Sequence, residues 1–400
     1  MKWFLSILSA VLLLQPSGLR AGETPPCTLH ITHTDALLMA DPDGRIICVK
    51  NGSKGLIPAS TIKVLTALTA IKRLGPSYRF RTEFYTDPFQ NLKVKGYGDP
   101  LLTSEIIHDL AGSIGDRINR FRSLILDNTY FVPHLNIPGC GRSTNPYDAP
   151  VGALCANFNT AFFRRDRKGD VVSSEMQTPM IPFVRKRVRS LGLKGGRHTL
   201  VHDSREAALY FGELLLHFLN KRGVKTGGSI SLGPVGPDDR LIYTYESAFT
   251  LETVIQKMLK SSSNFMANQI FISLGARTYG PPGTLAKGVS AVMDYARAGL
   301  HLKDLTIVEG SGISRENRIS ANGMLTVLKG FRPYRDLLRR KDALLYKTGS
   351  LKEIRTEVGY VESRPSRPYY FVVFFNRPGS PMNATIRCVK KTVIDYETGR

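Results

Sequence analysis

PASTIKVLTAL, residues 58–68, sets Ser60 three positions before Lys63 in an otherwise apolar run. A helix is expected from about Ser60 to Leu74, where Gly75-Pro76 stops it. Its apolar positions (Ile62, Val64, Leu65, Ala67, Leu68, Ala70, Ile71, Leu74) wrap most of the circumference. A helix of that kind belongs inside a core. Lys63 then falls in buried surroundings, which is costly unless its charge or its neutral amine is used.

Outward from this helix the texture changes. On the N-terminal side, Ala36-Leu-Leu-Met-Ala and Arg45-Ile-Ile-Cys-Val-Lys flank Asp43-Gly44 and read as a β-hairpin. From about residue 78 to 240, short strands such as Arg79–Tyr85, Leu124–Asp127 and Ser229–Leu232 alternate with turns around one amphipathic helix, Ser204–Lys221. This reads as an inserted, mainly β region. Helices over Leu251–Leu259, Asn264–Ser273, Thr284–Ala298 and Ala321–Leu328 follow. Strands Thr356–Glu362 and Tyr369–Phe375 and a helix Met382–Tyr396 come last. The expected fold is α/β, with a sheet whose edges come from both ends of the chain. Its core is residues 22–77 and 241–400, interrupted by an insertion over 78–240.

Residues 1–21 have the form of a secretory signal: Lys2, an apolar stretch from Trp3 to Leu14, and Gly18-Leu-Arg-Ala21 as the cleavage region. The stretch is short of the roughly 20 apolar residues of a membrane span. An exported, soluble mature chain is expected. Cys27, Cys48, Cys140, Cys155 and Cys388 are too few for a disulfide scaffold. They leave room for one or two bridges and at least one free thiol.

His198 and His202 stand four apart but lack the glutamate of an HExxH motif, and no CxxC occurs, so no metal is expected. The formal net charge is +22, with basic clusters at 164–168, 185–189 and 339–341. In an exported chain such clusters meet anionic envelope surfaces rather than nucleic acid, or serve as solvated faces.

Three short motifs stand out: Ser60-Thr-Ile-Lys63, Ser262-Ser-Asn264 and Lys347-Thr-Gly349. Each is weak alone, since caps and turns are rich in the same residues. Order and context add weight. The first opens a buried helix, the second joins two helices, and the third precedes a hairpin. A second Lys-Thr-Gly, at Lys225, follows a helix end and reads as a stop and turn.

With these motifs in this order the chain resembles the low-molecular-mass class C penicillin-binding proteins, the D-alanyl-D-alanine carboxypeptidases and endopeptidases. The likeness extends to Gly98-Asp99-Pro100, Leu124-Ile-Leu-Asp127, Ala156-Asn-Phe-Asn-Thr160, Gly310-Ser-Gly-Ile-Ser-Arg315 and Tyr346-Lys-Thr-Gly-Ser-Leu351. It implies a penicillin-binding transpeptidase/β-lactamase-like core, with a long insertion between Ser60 and Ser262. It also implies a periplasmic enzyme of the cell envelope. Two departures are Ser263, where aspartate is common, and Glu309, where aspartate is usual. The insertion is on the short side, and one added unit without a second, smaller one is expected.

The chemistry expected of this set needs no cofactor. Ser60 is a poor nucleophile until a base takes its proton. Lys63 shares its helix face and serves if burial and a second cation, Lys347, lower its pKa. The resemblance places oxyanion donors at the backbone N–H groups of Ser60 and Ser350. Ser262 is suited to relay a proton to the leaving amine, and Asn264 to orient Lys63 and hold a substrate amide. Lys347 and Thr348 would bind a terminal D-alanine carboxylate, while Gly349 would let the substrate backbone lie along the strand. Peptidoglycan stem peptides are the implied substrates and β-lactams the implied inhibitors. Two rivals remain: a catalytically dead murein binder, and a serine β-lactamase. The latter lacks its E-x-x-L-N segment, Glu316-Asn-Arg-Ile-Ser being the nearest fit.

Overall fold

The computed structural model describes residues 26–363 and 367–398; the expected leader lies outside them. The hairpin β1 (Asp35–Ala40) and β2 (Ile46–Lys50) leads to α1 (Lys63–Leu74). Then come β3 (Arg79–Thr86), β4 (Leu92–Gly96), α2 (Ser104–Gly115) and β5 (Arg120–Asp127). A smaller group follows: β6 (Thr160–Arg165), β7 (Val171–Ser173), α3 (Pro182–Ser190) and β8 (Gly196–Thr199). After it run α4 (Ser204–Lys221), β9 (Lys225–Leu232) and β10 (Arg240–Thr250). Helices α5 (Leu251–Ser261), α6 (Asn264–Tyr279) and α7 (Leu285–Leu300) return the chain to its core. A short ribbon, β11 (Leu305–Thr306) and β12 (Arg318–Ile319), precedes α8 (Ala321–Phe331). The chain closes with β13 (Arg339–Lys341), β14 (Leu344–Leu351), β15 (Ile354–Val361), β16 (Tyr369–Phe375) and α9 (Met382–Thr398).

The core sheet has the order β13-β14-β15-β16-β1-β2. Strands from the two ends of the chain meet where β1 pairs antiparallel with β16, Leu38 opposite Val372. Side chains alternate across a strand, so Leu38, Val372 and Phe374 enter the helical core while Leu37, Met39, Val373 and Phe375 turn to the other face. There they pack with Val389 and Val393 of α9. Both faces are covered, which is why β16 reads YYFVVFF without alternation. A disulfide between Cys27 and Cys388 ties the segment before β1 to α9, while Cys48, Cys140 and Cys155 are free. From Lys63 to Ile71 every residue of α1 is buried.

The insertion differs from its reading as mainly β. Its sheet has the order β10-β3-β4-β5-β9, and β4–β5 and β5–β9 pair in parallel. Parallel neighbours need a crossover, supplied here by α2 and α4. Glycines at 112 and 115 diluted the apolar pattern of α2. The boundary expected between residues 240 and 241 falls inside β10, which pairs with β3 as far as Thr250. With α3, a second sheet, β7-β6-β8, also belongs to the insertion. Its strands are short and carry charged residues, which hides them from an apolar period.

Gln269 on α6 fastens the insertion to the core. Its Oε1 accepts from Gly152 N at 2.9 Å, and its Nε2 donates to the carbonyls of Gly152 and Gly98 at 3.0 and 3.2 Å. The side chain is fully buried. Gln269→Leu strands an N–H and two carbonyls and is expected to cost about 2–4 kcal/mol, measured as a lower midpoint in urea unfolding.

Candidate active site

Ser60 stands on a strained turn rather than in the helix itself. Residues Ala59–Ile62 form a 3-10 turn, and α1 begins only at Lys63. Ala59 has φ of 46°, a left-handed value that a side chain disfavours. The Pro58 carbonyl below it is pinned by Thr61 Oγ1 at 2.6 Å and Thr356 Oγ1 at 2.7 Å. Two glycines let neighbouring segments press on the turn. A Cβ at Gly312 would lie 1.9 Å from the Ala59 carbonyl oxygen, and one at Gly349 would lie 2.8 Å from Ser60 N. In a 3-10 turn positions i and i+3 eclipse, which stacks Ser60 over Lys63.

Lys63 has no exposed surface. Its Nζ donates to Ser60 Oγ at 2.9 Å, Asn264 Oδ1 at 2.8 Å and the Ser311 carbonyl at 2.6 Å. Each of these acceptors is neutral. Burial pushes the amine well below the ordinary lysine range, Lys347 pushes in the same direction, and Glu309 opposes both. Such an amine can take a proton from a serine.

Glu309 is a residue whose weight was missed. Fully buried, its carboxylate accepts from Ser311 N and Oγ at 2.6 Å each, Gly312 N and Asn317 Nδ2 at 2.7 Å each, and more distantly Asn268 Nδ2 and Ser314 N. It folds the loop that aims the Ser311 carbonyl at Lys63. The sequence signal was present, as the acidic residue before Gly310-Ser-Gly, but it read only as a departure.

Ser262 caps the C-terminus of α5 in the left-handed region, with φ of 59°. Ser263 then caps α6, its Oγ accepting from Met266 N at 3.2 Å. Serine and aspartate are equivalent in that position, which accounts for the residue at 263. The break between helices presents Ser262 and Asn264 together. Asn264 also donates to the Tyr147 carbonyl at 3.4 Å, a contact from the insertion that the sequence did not reveal.

Lys347 is 2% exposed and sits mid-strand in β14. Its Nζ donates to Ser262 Oγ at 2.8 Å and to the Thr348 carbonyl at 2.6 Å. Burial, with Arg339 adding to it, lowers its pKa to about 7. Along β14, Lys347 and Gly349 are buried, Thr348 is half-buried and Ser350 exposed. The hydrogen of Gly349 faces Ser60 and Thr356, so its smallness serves the nucleophile turn. Pairing with β13 covers only Leu344–Tyr346. Among the described residues the Lys347–Leu351 edge carries no further strand.

The remaining candidates lie elsewhere. Lys225 opens β9 at the rim of the inserted sheet, a strand and not the expected turn. His198 is on β8, its ring nitrogens meeting Thr144 Oγ1 and the Gly195 carbonyl, so the helical spacing with His202 is not realised. Among the described residues no cluster of histidine, cysteine and acidic side chains is placed to hold a metal. Glu316 is exposed.

A family model, the D-Ala-D-Ala carboxypeptidase 3 (S13) family, matches residues 40–340. The chain belongs to this family. It is 23% identical over 399 residues to the D-alanyl-D-alanine carboxypeptidase DacB of Haemophilus influenzae, with 83% of each chain covered. A D-alanyl-D-alanine carboxypeptidase of Actinomadura is 25% identical over 334 residues, covering 71% of this chain and 62% of that one. Penicillin-binding protein 4 of Haemophilus influenzae has a similar fold: TM-score 0.74 at 20% identity, over 92% of this chain and 98% of that one. So does a predatory peptidoglycan endopeptidase of Bdellovibrio bacteriovorus, with TM-score 0.56 at 17% identity over 91% and 92%. The S13 chain thus has the penicillin-binding architecture expected from its motifs. Among its described residues no helix is long and apolar enough to cross a membrane.

A methyl group at position 349 would lie 2.3 Å from Thr356 Oγ1 as well as against Ser60 N. Gly349→Ala is expected to displace the serine and slow its acylation about 100-fold, the scale of an ångström of misplacement. Stopped-time penicillin labelling checks this, with circular dichroism confirming that the variant is folded.

Proposed function

We propose that this S13 chain is an exported, periplasmic serine D-alanyl-D-alanine carboxypeptidase and endopeptidase that cuts peptidoglycan stem peptides and crosslinks through an acyl-enzyme on Ser60. The observation that carries the reading is the 2.9 Å contact between Ser60 Oγ and the amine of a fully buried Lys63 held low by burial and Lys347. Lys63, neutral, takes the hydroxyl proton as Ser60 Oγ attacks the carbonyl of the penultimate D-alanine. The oxyanion collects between the N–H groups of Ser60 and Ser350. As the C–N bond breaks, Ser262 relays the proton held by Lys63 to the departing amine, which leaves Lys63 neutral and Ser60 esterified. Lys347, with Thr348 and the open edge of β14, takes the carboxylate of the terminal D-alanine. Water then attacks the ester, with Lys63 again as base.

In the carboxypeptidase reaction the leaving amine belongs to D-alanine. In the endopeptidase reaction it belongs to the side chain of a crosslinked stem. A β-lactam offers the same carbonyl but keeps its leaving amine tethered, and so traps Ser60. The strongly basic surface suits association with anionic envelope polymers.

Labelling with a fluorescent penicillin is expected to give one adduct by intact mass in the wild type and none in Ser60→Ala. Hydrolysis of purified crosslinked muropeptides should disappear with it. Equal murein binding by both proteins, without labelling of either, would instead mark a dead-site binder.

The pH dependence has a definite sign. Acylation needs Lys63 neutral and Lys347 charged. Activity therefore rises on the acid side as Lys63 loses its proton, and falls on the alkaline side as Lys347 does so near 7. Lys347→Arg stays charged and should extend kcat/KM to higher pH, measured as D-alanine release across pH 5–10.

A further inference from the structure

Beside the serine–asparagine motif lies a cavity of about 960 Å³, the scale of a ligand pocket. Ser262, Ser263 and Asn264 form one end of it, continuous with the contacts of Lys63. Phe158, Phe265, Met266 and Tyr147 supply apolar walls. Lys257 and Lys260, both exposed on α5, line it as well.

The wall from the insertion is built at a cost. Asn157, Phe158 and Asn159 all have positive φ, at 49°, 59° and 57°. Left-handed residues other than glycine normally occur singly. Two buried asparagines hold this turn. Asn157 accepts from Ser104 N at 2.7 Å and donates to Ser104 Oγ and Tyr210 OH, and Asn159 donates to the Pro150 carbonyl at 2.8 Å. The result is to set Phe158 edge-on to Phe265, centroids 6.2 Å apart, at the cavity wall. Strain held so firmly next to a reactive site points to a ligand.

The charge pattern says which ligand. No aspartate or glutamate lines the cavity. Arg197 on the far side is already paired with Glu175, whereas Lys257 and Lys260 form no salt bridge among the described residues. Lys257 lies over the Phe249 ring at 5.4 Å. The cavity lining therefore combines apolar walls with two lysines that no carboxylate among the described residues engages.

We propose that this cavity binds the upstream part of the acyl-donor stem peptide, with Lys257 and Lys260 taking the free carboxylate of its γ-linked D-glutamyl residue. The inference rests on the reading of the chain as a stem-peptide hydrolase. With the penultimate D-alanine on Ser60, an extended chain at ~3.5 Å per residue places that carboxylate about 10 Å upstream. The alanyl and lactyl methyl groups beyond it lie against Phe158 and Met266. An amidated stem, carrying D-isoglutamine, offers the two lysines no charge and is the poorer substrate.

The test compares two pentapeptide stems that differ only in this group, the free acid and the amide. Release of D-alanine is measured for the wild type, Lys257→Ala/Lys260→Ala and Lys257→Arg/Lys260→Arg, and a separate sample of each is labelled with a fluorescent penicillin. The wild type should favour the acid in kcat/KM by about fivefold to tenfold, the scale of one or two solvated ion pairs. The alanine pair should bring the ratio near one, and the arginine pair should keep it. A wild-type ratio near one, or an alanine pair with the wild-type ratio, overturns the subsite. Absence of both labelling and D-alanine release overturns the functional reading, and the subsite falls with it.

Discussion

A lysine amine sealed in the core without a carboxylate partner is the constraint on which the rest of the site depends. The three acceptors around Lys63 are uncharged, so nothing in direct contact compensates the loss of water by an ammonium. The negative group that bears on it, Glu309, is turned away into five hydrogen bonds with its own loop and one from Asn268 of α6, and reaches Lys63 only through space. Had that carboxylate met the amine directly, the ion pair would have fixed the proton in place. Holding it one loop away leaves the proton movable, at the expense of stability.

Most of the local architecture follows from keeping this amine dry yet next to a serine. The 3-10 turn stacks Ser60 over Lys63, and glycines at 312 and 349 allow a loop and a strand to close on that turn from two sides. The break between α5 and α6 then brings Ser262 to Lys347 and Asn264 to Lys63. Two lysines thus share one cleft, and the charge of Lys347 makes Lys63 easier to deprotonate.

Sequence reasoning reached these residues unevenly, for physical reasons. Ser60 and Lys63 are legible because a lysine inside an apolar helix is an anomaly that periodicity exposes. Ser262, Asn264 and Lys347 are legible only through their order, since each alone is an ordinary cap or turn. Gly349 is legible as a place of close approach; its contact with the nucleophile turn is not. A glycine shows that something comes close, without showing what. Glu309 and the turn at Asn157–Asn159 depend on tertiary hydrogen bonds, and a phenylalanine in a left-handed conformation has no local signature. The fold class was legible from the hairpin, the buried helix and the apolar β16. The crossovers of the insertion were not, because two glycines in α2 and charged strands in the second sheet blur the period. The pairing of Cys27 with Cys388, 361 residues apart, was one of several that five cysteines allow.

The junction of β1 with β16 has a consequence for how the molecule comes into being. Strand β1 pairs with β2 on one side and with residues 370–375 on the other, so the central ladder of the core sheet spans a very large sequence separation. Loop closure over such a distance is slow, and until it occurs β16 and β1 both present open edges. The nucleophile turn rests on β14 and Thr356, both late in the chain. A growing chain that has not yet reached them lacks the supports of its serine.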